Sequence, residues 1–440
     1  MRTVAIVGAG TAGCVVARRI ADATRNSSET VRVVLIEQGT HNVHHDDANF
    51  MASLVDDSSA VTRVNVSVTE GVARDPYSYV QGRCIGGGGA VNGMVVSPLY
   101  ANDFHVWRDE YGCTDWNPHD VVMAAEDLFP IATVADNEVG IVGAAMIAAG
   151  ANPAQLMWNG QRVSGASVIA DLITNGALEV MRAHVSQLLI DDGVIRAVVT
   201  DVGEILADVV VLAAGAVATP LLLQQSGISH DNLGRNAQDH PSVFFTIERS
   251  SAFAGGLNAT AVKAMGDTQL IAYESAHPTT PMFGGVSLSA LKVTSRGHVA
   301  GTLESPHIHL NLLDSEHDRQ LMRHAVRQFI AETVPVLEEH CGRVLCDAHG
   351  TSARELMSLT DTGLDEWLHA HVVPHSHISG TCAMGAGSGS VVSQRGETPS
   401  VRGLYVADAS VFPQLPRSNT NMVVASAASH IASFIVEDLS

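Results

Sequence analysis

Three glycines and one glutamate near the N-terminus have the types and spacing of a dinucleotide site. Gly8, Gly10 and Gly13 form the pattern G-x-G-x-x-G after a short apolar run, and a second apolar run, 31–36, ends in Glu37. The glycines allow a tight turn, close approach of a pyrophosphate, and close packing of helix on strand. The helix N-terminus offers N–H groups to phosphates, and the acid can accept from a ribose hydroxyl. The pattern predicts a nucleotide-binding βαβ unit, with FAD or NAD favoured over NADP.

A second glycine-rich stretch, GRCIGGGGAVNGM at 82–94, is predicted to be a loop. Its four consecutive glycines, Gly86 to Gly89, do not suit the interior of a helix or strand. The flanking residues Ile85, Val91 and Met94 are apolar and are expected to be buried, which a flexible linker would not require. The sequence therefore predicts a second loop whose backbone approaches the cofactor.

Composition narrows the classes of partner. The formal net charge of −21 argues against nucleic acid and anionic membranes as partners, and no apolar run is expected to span a bilayer. The six cysteines are scattered without a C-x-x-C, so reduced thiols and no metal site are expected. The His- and Asp-rich stretch at 41–47 is predicted to be a solvated loop. The N-terminus faintly resembles a signal peptide with a cleavage site before Cys14, but cleavage there would destroy the βαβ unit. No export signal is therefore inferred, and a cytoplasmic location is expected.

Five segments in order resemble the glucose–methanol–choline (GMC) family of flavin oxidoreductases. Its members carry GR-x-x-GG-S-S-x-x-N-G at the second glycine stretch. Residues 214–228 resemble its motif G-A-x-x-(T/S)-P-x-L-L-x-x-S-G-I. At the C-terminus, HSHISGTCAMG at 375–385 resembles H-x-x-G-T-x-x-M-G, and VRGLYVADAS at 401–410 is followed by an N-T-N segment. The resemblance implies an α/β fold: a Rossmann-type, glutathione-reductase-like FAD-binding domain with a substrate domain of antiparallel sheet plus helices.

The pattern along the chain divides this fold into two discontinuous domains. Alternating apolar residues at 244–247, 286–291 and 308–312 predict the strands of the substrate domain. Amphipathic helices are predicted over 121–128 and over 317–338. In 214–228, Pro220 is predicted to lie in the first turn of a helix. The FAD-binding domain is assigned 1–130, 156–242 and 371–440, and the substrate-binding domain 131–155 and 243–370.

The resemblance also implies which residues contact FAD. This chain departs from the family pattern in having glycines where two serines are usual. Val91 stands where some members have a histidine linked to flavin, so FAD is expected to be bound non-covalently. The predicted FAD contacts are Gly8, Gly10, Thr11, Ala12, Gly13, Glu37, Gly82, Arg83, Gly86, Gly87, Gly88, Gly89, Asn92, Gly93, Val185, Ala214, Gly215, Asp408, Ala409, Asn419 and Thr420.

By the same resemblance, the active-site histidine is His377 and the second catalytic position is Asn419. A neutral histidine can take the O–H proton of an alcohol, and an asparagine amide can orient the substrate oxygen. The helix that begins near Asn419 would direct its positive end toward charge that develops on the flavin. His375 is the alternative base, and His240 is predicted to be structural rather than catalytic.

The implied function is FAD-dependent oxidation of an alcohol to a carbonyl, with hydride transfer to flavin N5. The alternatives are a hydroxynitrile-lyase-like enzyme that keeps FAD without net redox chemistry, and a non-catalytic flavin-binding protein. An NAD-dependent dehydrogenase is disfavoured, because the C-terminal segments would have no purpose in it. The electron acceptor is left open between O₂, a quinone and a redox carrier.

The chain is short for this family. Losses fall between Glu37 and Gly82 and around 130–160, where family members carry lid and substrate loops. We therefore expect a more open pocket. The hypothesis that follows is a bulky alcohol substrate, such as a peptide-derived redox carrier of the mycofactocin type.

Overall fold

The computed structural model describes residues 1–25, 30–39, 60–71, 74–277 and 279–439. The predicted solvated loop at 41–47 lies outside these residues. The strands are β1 (Arg2–Val7), β2 (Val31–Glu37), β3 (Val61–Ser67), β4 (Tyr77–Gly82), β5 (Ala132–Thr133), β6 (Asn152–Pro153), β7 (Gln155–Leu156), β8 (Glu179–Arg182), β9 (Val185–Asp191), β10 (Val194–Thr200), β11 (Gly203–Leu206), β12 (Val209–Leu212), β13 (Pro241–Glu248), β14 (Ala259–Met265), β15 (Thr268–Tyr273), β16 (Phe283–Ala290), β17 (His298–Gly301), β18 (Pro306–His309), β19 (Val344–Leu345), β20 (Val373–Pro374) and β21 (Leu404–Val406). The helices are α1 (Thr11–Thr24), α2 (Gly88–Val91), α3 (Ala101–Tyr111), α4 (Pro118–Met123), α5 (Ile141–Ala148), α6 (Gly165–Thr174), α7 (Gly215–Gln225), α8 (Glu316–Gln328), α9 (Val334–His340), α10 (Asp361–His371) and α11 (Thr420–Leu439).

A parallel sheet of five strands forms the nucleotide-binding half of the molecule. Its order is β21-β12-β1-β2-β8, and each neighbouring pair runs parallel. Helix α1 follows β1 and packs against both α6 and α11. The apolar centre of β1 is fully buried, as expected for a parallel strand covered on both faces. This arrangement confirms the predicted βαβ unit and the Rossmann-type fold.

An antiparallel sheet forms the second half. Its strand order is β19-β13-β16-β15-β14-β6, and β20 also pairs with β13. On β13, the ring of Phe245 packs against those of Phe329 and Trp367 from the covering helices. The predicted helix over 317–338 is present as α8 and α9, joined by a π-helical turn at Phe329–Thr333. Pro335 explains this turn, because proline lacks an N–H and crowds the carbonyl of the preceding turn.

A small four-stranded sheet joins residues that the sequence analysis placed in different domains. Its order is β17-β18-β3-β4, and β18 pairs in parallel with β3 through Ile308 and Val66. The predicted strand at 308–312 therefore belongs to this sheet rather than to the larger antiparallel one. Val66 and Ile308 both belong to the apolar core under the antiparallel sheet. The domain boundaries themselves stay a prediction.

Three local expectations differ from the structure. Gly88 and Gly89 begin a single helical turn rather than an open loop, because Gly89 and Ala90 donate to the carbonyls of Gly86 and Gly87. The predicted helix at 121–128 is the earlier α4, which begins after the capping side chain of Asn117. Pro220 lies inside α7 rather than in its first turn.

Helix α11 is long and apolar enough, by length and composition, to cross a membrane. From the sequence, no apolar run was expected to be long enough to span a bilayer. In the fold, 67% of its apolar window is buried, and the helix packs along α1. Burial in the protein core accounts for its composition.

Candidate active site

The two predicted glycine segments lie against each other. Gly86 donates its N–H to the carbonyl of Ala9 at 2.7 Å. A Cβ atom on Gly87 would lie 2.7 Å from Cα of Gly10, and one on Gly13 would lie 1.9 Å from the carbonyl oxygen of Gly8. A side chain at Gly87 would push the two segments apart, and one at Gly13 would clash within the first segment, so close backbone contact requires glycine at both positions.

Other glycines in the same segments face open space, where a cofactor fits. A Cβ atom on Gly10 or Gly88 would meet no atom of the described residues within 4 Å. Gly10 precedes α1, and no side chain caps this helix, so its first N–H groups are available to an anion. The open surface and the free helix start suit the pyrophosphate of FAD.

Glu37 lies at the end of β2, beside this surface. Its two carboxylate oxygens accept from the N–H of Ala9 at 3.0 Å and of Gly39 at 2.8 Å. Each oxygen keeps a second lone pair for a ribose hydroxyl. Burial raises the pKa of the carboxyl, and the two N–H groups act in the opposite direction.

The start of α11 reaches the first glycine turn. Thr11 Oγ1 donates to Oδ1 of Asn421 at 2.7 Å, and Nδ2 of Asn421 donates to Sδ of Met157 at 3.0 Å. The sequence analysis did not single out Asn421 or Met157. The second asparagine of the N-T-N segment was the available signal for Asn421.

Arg162 was also missed, because no motif surrounds it. Its guanidinium donates to the carbonyl of Asn92 at 2.7 Å and to Oδ1 of Asn92 at 3.0 Å. It also donates to the carbonyl of Gly89. A cation from a distant segment therefore holds the end of the second glycine segment.

Asp408 turns its carboxylate toward α7. It accepts from the N–H of Gly215 at 2.8 Å, from Oγ1 of Thr219 at 2.6 Å, and from the N–H of Ser410 at 2.9 Å. Burial raises its pKa, while these donors lower it. Its side chain thus fixes the start of α7, and a contact with FAD would come from its neighbours.

Pro220 leaves the carbonyl of Ala216 without its usual helix donor. Thr381 Oγ1 donates to that carbonyl at 2.7 Å. This threonine follows Gly380 in the G-T pair of the segment 375–385. Gly380 donates its N–H to the carbonyl of Ala409 at 3.0 Å. The loop that carries the histidines is thereby tied to α7 and to the turn after Asp408.

The remaining predicted FAD residues are distributed around these segments. Gly82 contacts the second glycine loop, since a Cβ atom on it would lie 2.2 Å from the carbonyl of Gly87. Arg83 donates its N–H to the carbonyl of Ala60. Their contacts with FAD stay predictions, as do those of Ala12 in α1, Gly93 after α2, Val185 at the start of β9, Ala214 before α7, and Thr420 at the start of α11.

His375 and His377 lie side by side in the segment that follows β20. Ser376 between them has a φ of 66°, in the left-handed region. The carboxylate of Asp239 accepts from the N–H groups of both histidines, each at 3.0 Å. The two rings stack with their centres 4.7 Å apart and their planes 25° from parallel. Burial raises the pKa of Asp239 to about 8, against the lowering effect of the backbone N–H groups.

Each of these histidines is anchored through Nδ1. Nδ1 of His377 lies 2.9 Å from Nδ1 of His240, and the two rings are perpendicular. Nδ1 of His375 lies 2.8 Å from Oγ of Ser289, which itself donates to Oγ of Ser242 at 2.9 Å. Both rings are half-buried, and Nε2 is the atom that each can offer to a substrate.

All three imidazoles are held neutral. Burial lowers the pKa of His377 well below its ordinary value, with the neighbouring His375 and His240 adding to the effect. Burial lowers the pKa of His375 to about 4 and that of His240 to about 3. Within the described residues, no group of three or more histidine, cysteine and acidic side chains is placed to hold a metal ion.

Asn419 has an unsatisfied buried oxygen. Its Nδ2 donates to the carbonyl of Val95 at 3.2 Å, whereas its buried Oδ1 has no hydrogen-bond partner among the described residues. A buried polar atom without a partner is costly, so a ligand hydroxyl or amide is the expected partner. Asn419 thus remains the second candidate for substrate or cofactor contact.

A double ion pair fixes the approach to Asn419. Arg417 donates through its backbone N–H and Nε to the two carboxylate oxygens of Asp103, at 2.9 and 2.8 Å. It also donates to Asp267 at 3.1 Å. Upstream, Leu415 donates its N–H to Oε1 of Gln238, two residues before His240. The segments that carry His377 and Asn419 therefore both contact the segment that contains Gln238.

Two family models match the chain, and both are described as GMC oxidoreductase. The N-terminal model matches residues 145–242 and the C-terminal model 293–428, together more than half of the chain. The chain is 24% identical to an oxygen-dependent choline dehydrogenase of Vibrio vulnificus, over 540 aligned positions that cover 98% of this chain and 93% of that protein. An uncharacterized GMC-type oxidoreductase in the thcA 5′ region of Rhodococcus erythropolis is also 24% identical, with 98% of each chain covered.

Solved structures share the fold. Pyridoxine 4-oxidase from Mesorbium loti has a TM-score of 0.87 at 22% identity, with 99% of each chain covered. Formate oxidase from Aspergillus oryzae has a TM-score of 0.85 at 18% identity, with 99% of this chain and 98% of that one covered. The fold and the family matches agree with the sequence motifs. The chain therefore belongs to the GMC oxidoreductase family and is an FAD-dependent alcohol oxidoreductase of that family.

Proposed function

We propose that the chain oxidises an alcohol to a carbonyl with His377 as the base that takes the hydroxyl proton. The observation that carries this proposal is the state of the His377 ring: burial keeps it neutral, and Nδ1 is engaged with His240. With its proton on Nδ1, the neutral ring has a lone pair on Nε2, as proton abstraction requires. Bound FAD supplies the hydride acceptor for the substrate carbon.

Asn419 is proposed to orient the substrate. Its Oδ1 is buried without a partner in the part of the chain that the structure describes, and one amide hydrogen is donated to the carbonyl of Val95. The other amide hydrogen can donate to the substrate oxygen while His377 receives its proton. Such fixed geometry lowers the entropy cost of reaching the transition state. Asn419 also precedes the first residue of α11, whose positive end would favour nearby negative charge.

His375 is the alternative base. Its ring is stacked on that of His377 and its Nδ1 is anchored by Ser289, so its Nε2 also carries a lone pair. We assign it the supporting role because the G-T pair that identifies the family's active-site histidine follows His377 at the family's spacing. A comparison of the two single variants decides between them.

FAD is proposed to be bound non-covalently. Val91 has an alkyl side chain that cannot form a bond to flavin, and it is buried. Cys84, near the same loop, is a poor nucleophile because burial raises the pKa of its thiol to about 12. Flavin should therefore remain in the supernatant when the protein is precipitated with acid.

The proposed substrate is a bulky alcohol, including a peptide-derived carrier of the mycofactocin type. Support comes from chain length: the match to the Vibrio vulnificus protein extends over 540 aligned positions, whereas this chain has 440 residues. Missing insertions would leave a more open pocket. The proposal leaves the electron acceptor open between O₂, a quinone and a redox carrier.

The test is incubation of the purified flavoprotein with a panel of small and bulky alcohols under anaerobic conditions. We expect at least one alcohol to bleach the flavin absorbance and to yield one carbonyl product per flavin. Cleavage of a cyanohydrin without bleaching would support the hydroxynitrile-lyase alternative instead. Bound flavin that no alcohol reduces, and no cyanohydrin cleavage, would support a non-catalytic flavin-binding protein.

A further inference from the structure

The contact between His240 and His377 assigns a function to a histidine that the sequence analysis considered structural. We propose that His240 is a positioning residue that fixes the tautomer of His377, so that the proton lies on Nδ1 and the lone pair on Nε2. The inference deepens the proposed function and rests on His377 being the base. His240 is completely buried and acts through His377 rather than on the substrate.

The hydrogen bond between Nδ1 of His240 and Nδ1 of His377 links the tautomers of the two rings. Two neutral imidazoles whose Nδ1 atoms lie 2.9 Å apart can share only one proton between them, because one ring must donate and the other accept. The two possible arrangements have opposite consequences for His377. If His377 donates, its Nε2 has a lone pair and can take a proton. If His377 accepts, its Nε2 carries a hydrogen and cannot act as a base.

The surroundings of His240 select between these arrangements. Its other nitrogen, Nε2, is buried and has no partner at hydrogen-bonding geometry within the described ranges of the chain. The main-chain carbonyl groups of Leu291 and Pro416 interact with the ring and favour its protonated form. Carbonyl oxygens attract an N–H and repel a lone pair. Because Nδ1 of His240 faces Nδ1 of His377, Nε2 is the nitrogen left to donate to these carbonyls, so we place the proton of neutral His240 on Nε2, and its Nδ1 accepts from His377.

The same arrangement suits the reaction as it proceeds. When Nε2 of His377 takes the hydroxyl proton, the ring becomes a cation with two N–H groups. Nδ1 of His240 continues to accept from it, so the charge is stabilised without reorganisation. The neighbouring titratable groups are Asp239, which binds the backbone of His377, and His375, which stacks on its ring. Neither of them contacts Nδ1 of His377 in the described structure.

The geometry of this contact is fixed from both sides. Gln238 and Ser379 pair through their backbones in both directions, each N–H to the other's carbonyl at 3.0 Å. His375 donates its N–H to the carbonyl of His240 at 3.1 Å. The two chain segments are thus in register, which fixes the backbone positions from which the two imidazole rings meet. This rigidity is what a tautomer-fixing contact requires.

The test compares two variants of His240 in the FAD-loaded protein. In His240→Asn, the amide oxygen can take the place of Nδ1 as acceptor, whereas His240→Leu has a similar size and no acceptor. We expect the rate of flavin reduction by an alcohol to fall by at least about 100-fold in the leucine variant, because a wrong histidine tautomer in a hydrolase triad costs about 10⁴-fold. The asparagine variant should recover most of that loss. Equal rates in the wild-type protein and in a folded leucine variant would overturn the proposal.

A second measurement does not depend on activity or on either His240 variant folding. Nitrogen NMR of histidine-labelled protein distinguishes a protonated ring nitrogen from one with a lone pair, and His377→Ala identifies the resonances of His377. We expect the wild-type protein at neutral pH to show the proton on Nδ1 of His377. A proton on Nε2 would overturn the proposal.

The role of His377 as the base and the role of His240 in positioning it can be disproved separately. If His377→Ala reduces flavin at the wild-type rate, His377 is not the base and the proposed function fails. If His377→Ala loses activity while His240→Leu is folded and fully active, the proposed function stands and only the role of His240 is lost. Thermal unfolding of each variant shows whether it is folded.

Discussion

Thr11 Oγ1 donates to Asn421 Oδ1 at 2.7 Å, which joins the first turn of α1 to the first turn of α11. The two residues are 410 positions apart in the chain. Gly89 adjoins them, since a Cβ atom on it would lie 2.8 Å from Oγ1 of Thr11. The starts of two helices and the second glycine segment thus meet at one place. Their N–H groups can there donate hydrogen bonds to a single phosphate-bearing ligand.

The Thr11–Asn421 bond can be tested with an isosteric change. Thr11→Val keeps the shape and removes the donor, so we expect the free energy of unfolding to fall by about 1 kcal/mol and FAD to be lost more readily on desalting. Thr11→Ser keeps the hydroxyl and serves as the control. The measurements are urea unfolding and the flavin-to-protein absorbance ratio. An unchanged ratio and stability in the valine variant would show that the bond contributes to neither.

Gly10 and Gly13 are predicted to differ, although both belong to one motif. Gly10 has a φ of −68° and open space where a Cβ would stand, so Gly10→Ala should leave the apoprotein's unfolding midpoint unchanged and weaken FAD binding. In Gly13→Ala, the Cβ would lie 1.9 Å from the carbonyl oxygen of Gly8. This clash should destabilise the fold by about 1–3 kcal/mol or more. The check is urea unfolding of both apoproteins beside FAD titration, and equal destabilisation in both would contradict the distinction.

Glu274 is predicted to be a major contributor to the stability of the antiparallel half. Its buried carboxylate accepts from the N–H groups of Val142 and Gly143 in α5 and from Oγ1 of Thr260. It also lies 3.5 Å from the buried guanidinium of Arg249. Glu274→Ala leaves these groups unpaired and should cost about 3–5 kcal/mol. Glu274→Gln retains one acceptor and should cost less.

Equilibrium unfolding in urea, at a pH where the protein is most stable, measures both changes. As a surface control, Glu437 pairs with Arg395 at the surface, and its replacement should cost no more than about 1 kcal/mol. If Glu274→Ala were as mild as this control, the carboxylate would not be holding α5.

Acidification below about pH 6.5 should destabilise the protein through its histidine cluster. Folding lowers the pKa values of His240, His375 and His377 below the ordinary 6.5, so between their folded values and 6.5 the unfolded chain binds more protons. Stability contributed by these neutral rings is therefore lost as pH falls through this window. The raised pKa of Asp239, about 8, acts in the opposite direction, because the folded state binds its proton first.

This pH effect is measured as the slope of the free energy of unfolding against pH between 4 and 6.5. We expect His375→Asn to flatten the slope, since one of the three depressed histidines is removed. His119, an exposed histidine outside the cluster, gives the matched control, and His119→Asn should leave the slope unchanged. An unchanged slope in the His375 variant would contradict the account.

The parts of the fold that the sequence predicted depend on local patterns. The β1–α1–β2 unit follows from two apolar runs and the spacing of Gly8, Gly10 and Gly13, all within forty residues. The helix at 317–338 follows from its apolar periodicity. In both cases, the residues that determine the structure are neighbours in the sequence, and the structure agrees with the prediction.

The parts that were missed depend on contacts between distant segments. Pro220 fits inside α7 because Thr381 satisfies the carbonyl of Ala216, which no local rule indicates. The contact of His240 with His377 requires the pairing of Gln238 with Ser379. The sequence pattern of either segment alone does not predict this pairing. Arg162 likewise acts on Asn92 from a segment without a motif. The candidate catalytic residues could be named from sequence motifs, whereas the side chains that contact them from distant segments could not.

The most direct test of the central claim is the rate of anaerobic flavin reduction by an active alcohol in His377→Ala and His375→Ala, both loaded with FAD. If His377 takes the hydroxyl proton, its loss should slow reduction by about 10²–10⁴-fold, and loss of His375 should slow it by less than about tenfold. Retention of the wild-type rate in His377→Ala, or the larger loss in His375→Ala, would contradict the account.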